Sequence, residues 1–119
     1  MATFTSDSVS GNSSFKPFPG GTVGVRYAKY SVAAAPNAND VYQMVDVFAG
    51  ETVHDVKIKS SDLDSNGYLV FDVGDGSDTN RYIDGSTIGQ TGASDTTGVA
   101  DLAPVAYTAD DTIDILVEV

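Results

Sequence analysis

The chain predicts an all-β fold, an antiparallel β-sandwich of jelly-roll or immunoglobulin-like topology with an extended N-terminal arm. Three observations predict it. Apolar residues recur with a period of two in one short run after another, Gly, Asp, Asn and Pro punctuate those runs, and no stretch shows helical apolar spacing. The clearest run is Tyr68-Leu69-Val70-Phe71-Asp72-Val73. Leu69, Phe71 and Val73 fall on one side of it, as a half-buried strand requires.

Taken in order, residues 1–21 are rich in Ser, Thr, Gly and Asn, with Phe4, Phe15 and Phe18 set among them. Phe15-Lys16-Pro17-Phe18-Pro19 is not helical, because each proline lacks a donor and pushes its predecessor toward extended geometry. Three phenylalanines left in water are costly, so the arm is expected to dock them on its own domain or on a neighbouring chain. Residues 22–119 then form the sandwich domain. Residues 22–33 read as a first long strand in which Val23, Val25 and Tyr27 share a face. A phase slip near Ala28 suggests a β-bulge. A turn-rich link containing Pro36 leads to residues 40–48, apolar on both sides and therefore central. Ala49-Gly50-Glu51 reverses the chain into residues 52–59, where Ile58 points inward and Lys57 and Lys59 outward. These two strands read as a hairpin.

After a polar loop at residues 60–67 and the run described above, Gly74-Asp75-Gly76 turns the chain into a short strand, Arg81-Tyr82-Ile83. A second turn is expected at Asp84-Gly85. Residues 86–104 are weakly patterned and read as a long loop with a helical turn near residues 99–103. Residues 105–108 and 112–119 close the domain, with Ile113, Ile115, Val117 and Val119 on one face.

The length of 119 residues suits one modest core, and the 41% apolar content is that of a globular chain. Absence of cysteine removes disulfides and thiolate metal sites. Seventeen acidic against six basic residues give a net charge of −11, which repels phosphate and anionic lipid. Neither a nucleic acid nor a membrane partner is therefore expected. Met1-Ala2-Thr3-Phe4-Thr5 opens the chain with neither a basic nor an apolar leader region, so no secretory signal is expected.

Residues carrying chemistry are few. Asp62, Asp64, Asn66 and Gly67 match the start of a calcium loop, yet Val73 stands where the bidentate glutamate belongs, so an Asx-rich turn is the better reading. Asp72, Asp75, Asp78 and Asp84 form a second acidic group, also read as turn-forming. His54 is the only histidine and is placed on a sheet surface. With no nucleophile-elbow pattern and no phosphate-cradling glycine loop, neither a catalytic residue, a metal site, a cofactor nor an enzymatic activity is expected. Arg81, among Asp75, Asp78 and Asp84, is expected to form a local ion pair or to reach across a subunit boundary.

Several residue groups carry a resemblance: Asn39-Asp40-Val41, Val45-Asp46-Val47, Asp62-Leu63-Asp64-Ser65, Phe71-Asp72-Val73-Gly74-Asp75-Gly76, Arg81-Tyr82-Ile83-Asp84-Gly85 and Tyr107-Thr108-Ala109-Asp110-Asp111-Thr112-Ile113-Asp114. Through them the chain resembles the head decoration, or cement, proteins of tailed bacteriophages, small structural proteins encoded beside the major capsid protein. The resemblance implies a non-enzymatic virion protein on the outer capsid surface, with the major capsid protein as partner and a homotrimeric state. With the phenylalanines of the arm read as docking residues, Phe4, Phe15, Phe18 and Arg81 are the candidates for inter-subunit or capsid contacts. Relative to that pattern the chain stops early, at Val119, so either a missing closing strand leaves a sheet edge in need of a partner or the sequence is a piece of a longer one. Two other readings stay open: another virion component such as a head fibre, knob or tail protein, and a calcium-dependent adhesion or carbohydrate-binding module.

Overall fold

A computed structural model describes residues 3–6, 24–32, 36–63, 67–96 and 104–118. Among them are nine strands: β1 (Thr3–Thr5), β2 (Val41–Val47), β3 (Thr52–Val53), β4 (Lys57–Ser60), β5 (Phe71–Gly74), β6 (Ile83–Ser86), β7 (Ala93–Thr96), β8 (Val105–Ala106) and β9 (Asp111–Val117). The one helical element among the described residues is a single 3-10 turn, Ile88–Gln90. The fold is all-β and sandwich-like, as the alternation predicts.

The main sheet has five strands in the order β1-β2-β9-β5-β6, and β3-β8 and β4-β7 make two short ribbons. The β1–β2 pair is parallel, and every other pair is antiparallel. Register sets the core. Tyr42, Ile115 and Val73 lie in one row across β2, β9 and β5, and Val117 and Phe71 lie in the next. Their side chains share a face and pack with Leu69, Ile58, Ile88, Tyr82 and Tyr107 in one hydrophobic cluster. Gly89 is needed where the 3-10 turn crosses this cluster, since a Cβ there would stand 2.7 Å from the Phe71 ring.

The Leu69, Phe71 and Val73 face is buried as predicted, but Asp72 on the opposite face is buried too, at 2% exposure. β2 is central as predicted, flanked by β1 and β9. Its register slips between Gln43 and Val45, where Met44 is the extra residue. Ser6 closes this bulge, its Oγ donating to the Met44 carbonyl at 2.5 Å. The last strand, β9, is also central, so its two edges are both occupied.

Several sequence expectations fail. The hairpin of residues 40–48 with 52–59 does not form: β3 pairs with β8 and β4 with β7. Both edges of β2 are already taken, and Glu51 redirects the chain by accepting the Phe48 N–H at 2.8 Å while its backbone bonds Tyr107. Residues 24–32 belong to no strand. Their alternation runs without a slip, with Arg26, Ala28, Tyr30 and Val32 turned inward and Val25, Tyr27, Lys29 and Ser31 outward. A charged residue holds the inward position that apolarity alone would have given to Val25.

The strand expected at Arg81-Tyr82-Ile83 starts at Ile83, and Asp84-Gly85 is no turn. Between the pairs Phe71–Ser86 and Val73–Ile83, β6 has one residue more than β5. Gly85 supplies the φ of +75° that this bulge needs. Residues 86–104 are not one loop, since they hold the 3-10 turn and β7. The helical turn expected at residues 99–103 lies outside the described residues, as do Asp64, Ser65 and Asn66 of the calcium-like loop.

Candidate functional site

The acidic corner after β5 is the most heavily bonded place in the described chain. Gly74 is required there because a Cβ would lie 2.0 Å from the Asp78 carbonyl oxygen, which the tight turn folds back over it. Asp75, 1% exposed, sits at the centre. Its Oδ1 accepts the N–H groups of Ser77 and Asp78, each at 2.9 Å. Its Oδ2 accepts Arg81 Nε at 2.7 Å and the Tyr107 hydroxyl at 2.8 Å. Because Tyr107 gives its proton to Asp75, the buried Tyr82 hydroxyl is the donor to Tyr107.

Burial pushes the Asp75 carboxyl up, but Tyr107, the Asp78 and Ser77 amides and Arg81 outweigh it and hold the group below the usual carboxylate range. Burial also raises the Tyr107 hydroxyl, and its bonds with Tyr82 and Asp75 raise it further. Four donors fill the four acceptor positions of Asp75. It has no position left for a substrate proton or a cation, so the arrangement locks β5 to the segment after β8. An open cleft of about 200 Å³ lies beside it, lined by Ser77, Arg81, Val105, Tyr107, Asp110 and Asp111. Arg81 pairs within its own chain, with 31% of its side chain exposed.

The four aspartates that the sequence groups together are divided by the structure. Asp75 and Asp78 belong to the corner, whereas Asp72 and Asp84 meet Glu118, with carboxylate oxygens of all three within 4.8 Å of one another. Glu118 is a member that sequence reasoning missed, because only β9 pairing brings it there; its N–H donates to the Val70 carbonyl at 2.8 Å. Asp72 accepts the Gly85 N–H at 2.8 Å. The neighbouring Asp72 charge raises the Glu118 carboxyl. With one oxygen offered by each residue, the trio falls short of the six to eight ligands of a typical calcium sphere.

At the other end of the main sheet, Phe4 on β1 stacks on Tyr42, with ring centroids 4.8 Å apart and planes at 16°. Tyr30 closes the trio, edge-on to Tyr42 at 5.3 Å. Phe4 therefore docks on its own chain, and Phe15 and Phe18 lie outside the described residues. Sequence reasoning missed Arg26 as well. Its Nη1 donates to Glu51 Oε1 at 2.6 Å and its Nη2 to Oε2 at 2.5 Å, and the guanidinium lies 5.1 Å from the Phe48 ring centroid. This bidentate pair pins residues 24–32 across the β2–β3 connection. His54 is exposed, just past β3 rather than within a strand. No helix among the described residues is long and apolar enough to cross a membrane.

No protein-family model matches the chain, and no curated protein matches it. The chain is similar to one in the solved structure described as the capsid of Ralstonia phage GP4, at 21% identity with a TM-score of 0.72. The likeness covers 98% of this chain and 85% of that one, so the two share a fold over nearly their whole common length.

Proposed function

We propose that the chain is a structural component of a tailed-phage virion, a head decoration protein that cements the capsid from outside. The observation that carries this reading is the fold likeness, over nearly the whole chain, to a chain of a phage capsid. Two features support it. The most buried carboxylate is saturated by donors that brace a corner, which suits a rigid building block. The net charge of −11 keeps coated particles apart in solution. In this reading the protein contacts the major capsid protein, assembles as a homotrimer and acts without catalysis. Arg81, Phe15 and Phe18 remain its candidate contact residues.

Antibody labelling of intact virions tests the placement. Label spread evenly over the head supports decoration, while label confined to a vertex, a fibre or the tail assigns the protein elsewhere in the particle.

A further inference from the structure

We propose that the extended row Val25, Tyr27 and Lys29 is the surface through which one copy of this chain docks on the acidic body of the next. Two independent observations carry the inference. The first is the charge map of the chain. Residues 8–39 contain no carboxylate and three cations, Lys16, Arg26 and Lys29, whereas the rest of the chain holds all 17 acidic residues and three basic ones. Arg26 is taken up by Glu51, so Lys29 is the exposed cation that the described part of this stretch presents to the otherwise acidic surface of a second copy.

The second observation is geometric. The inward side of residues 24–32 is fixed by the Arg26–Glu51 pair and by Tyr30 against Phe4 and Tyr42. The outward side leaves Val25 88% and Tyr27 72% exposed. Val25, Tyr27 and Lys29 make none of the described hydrogen bonds, and the segment joins no sheet. A segment whose residues alternate inward and outward, anchored on its inward side and carrying apolar groups and a cation on the other, is suited to accept a neighbouring strand edge-on. That anchoring lowers the ordering cost of the docking. Lys29 then meets carboxylates of the neighbour while Val25 and Tyr27 leave water.

This deepens the reading above, since it names the face that the copies of a head protein would share, and it rests on that reading's contact between copies. The test mixes isotopically labelled and unlabelled full-length protein, joins amines to carboxylates with a zero-length carbodiimide and reads the products by mass spectrometry. The expected result is a Lys29-to-carboxylate link between copies of different label. Light scattering should show an oligomer that Tyr27→Asp and Lys29→Glu weaken by about tenfold or more in association, with the circular dichroism of the wild type retained. A wild type that stays monomeric, that gives no link at Lys29 between copies, or whose Tyr27→Asp form associates unchanged overturns the proposal. Head binding separates the two readings. Protein that coats heads without the Lys29 link sinks this inference alone, and protein that shows the link yet ignores heads sinks the head assignment alone.

Discussion

The hydroxyl of Tyr107 donates to Oδ2 of Asp75 across 32 positions of sequence, at 2.8 Å and in a buried setting. That bond joins the corner after β5 to the segment between β8 and β9, and Tyr82 extends it by donating to Tyr107. Replacing Tyr107 by Phe keeps the ring and deletes the donor, leaving a buried carboxylate one partner short and the Tyr82 hydroxyl with none. Tyr107→Phe is expected to cost about 2–4 kcal/mol of unfolding free energy, measured by urea denaturation. A loss below about 0.5 kcal/mol would show that the bond contributes nothing net.

Gly74 offers a backbone test of the same corner. A methyl at that position meets the Asp78 carbonyl oxygen at 2.0 Å and the Thr79 carbonyl carbon at 2.5 Å. Main chain cannot yield as a flexible side chain does, so Gly74→Ala should cost about 3 kcal/mol or more, or prevent folding at 37 °C. Gly76→Ala, which meets only the Asp111 carboxylate at 3.1 Å, should cost far less. Thermal melts of the two variants side by side distinguish a clash from a general dislike of substitution in the turn.

The Arg26–Glu51 pair should behave as a largely buried one, with side-chain exposures of 9% and 17%. Removing one partner strands the other, so Arg26→Ala is expected to cost about 2–4 kcal/mol. Arg26→Lys should recover little of it, because an ammonium does not reproduce the two-point fork on the carboxylate. Proteolysis adds a local readout: cleavage after Lys29 should accelerate in Arg26→Ala as the segment lifts from β2.

Stability should peak at mildly acidic pH. Burial raises the Asp114 carboxyl from its ordinary 3.8 to about 6, opposed by the Thr112 hydroxyl and reinforced by the Asp111 and Asp75 charges. The folded chain thus holds a proton that the unfolded chain has released, and stability falls as pH climbs from about 4 through 6. Asp75 acts in the opposite sense. Its lowered carboxyl contributes fully above its ordinary 3.8, and that contribution is lost as pH falls below it. Asp114→Asn should flatten the upper limb, stabilising the protein by about 1–3 kcal/mol at pH 8, and leave the acid limb in place. Equilibrium denaturation from pH 3 to 8 reads both limbs.

Much of the core is legible in the chain because it depends on local alternation. Leu69, Phe71, Val73, Ile113 and Val117 announce their burial by a period of two, and proximity in sequence places Arg81 beside its aspartate. Pairing is not legible. Whether residues 52–59 fold back on β2 depends on which strands already occupy its edges, and β9 arrives there from the far end of the chain. Period two also fixes only that sides alternate, not which side is inward, so a segment with Val25 and Tyr27 on one side and Arg26 on the other reads in reverse. Asp72 and Glu118 illustrate the same limit: no spacing rule joins residues 46 positions apart, and only the β5–β9 register brings them together.

The most direct test adds purified protein to expanded, undecorated heads of the phage that, on the proposed reading, encodes it, then measures co-sedimentation and the temperature at which the heads rupture. Saturable binding at a fixed number of copies per head, with rupture moved to higher temperature, is the outcome the account predicts. Protein left in the supernatant, or bound without any change in rupture temperature, would contradict it.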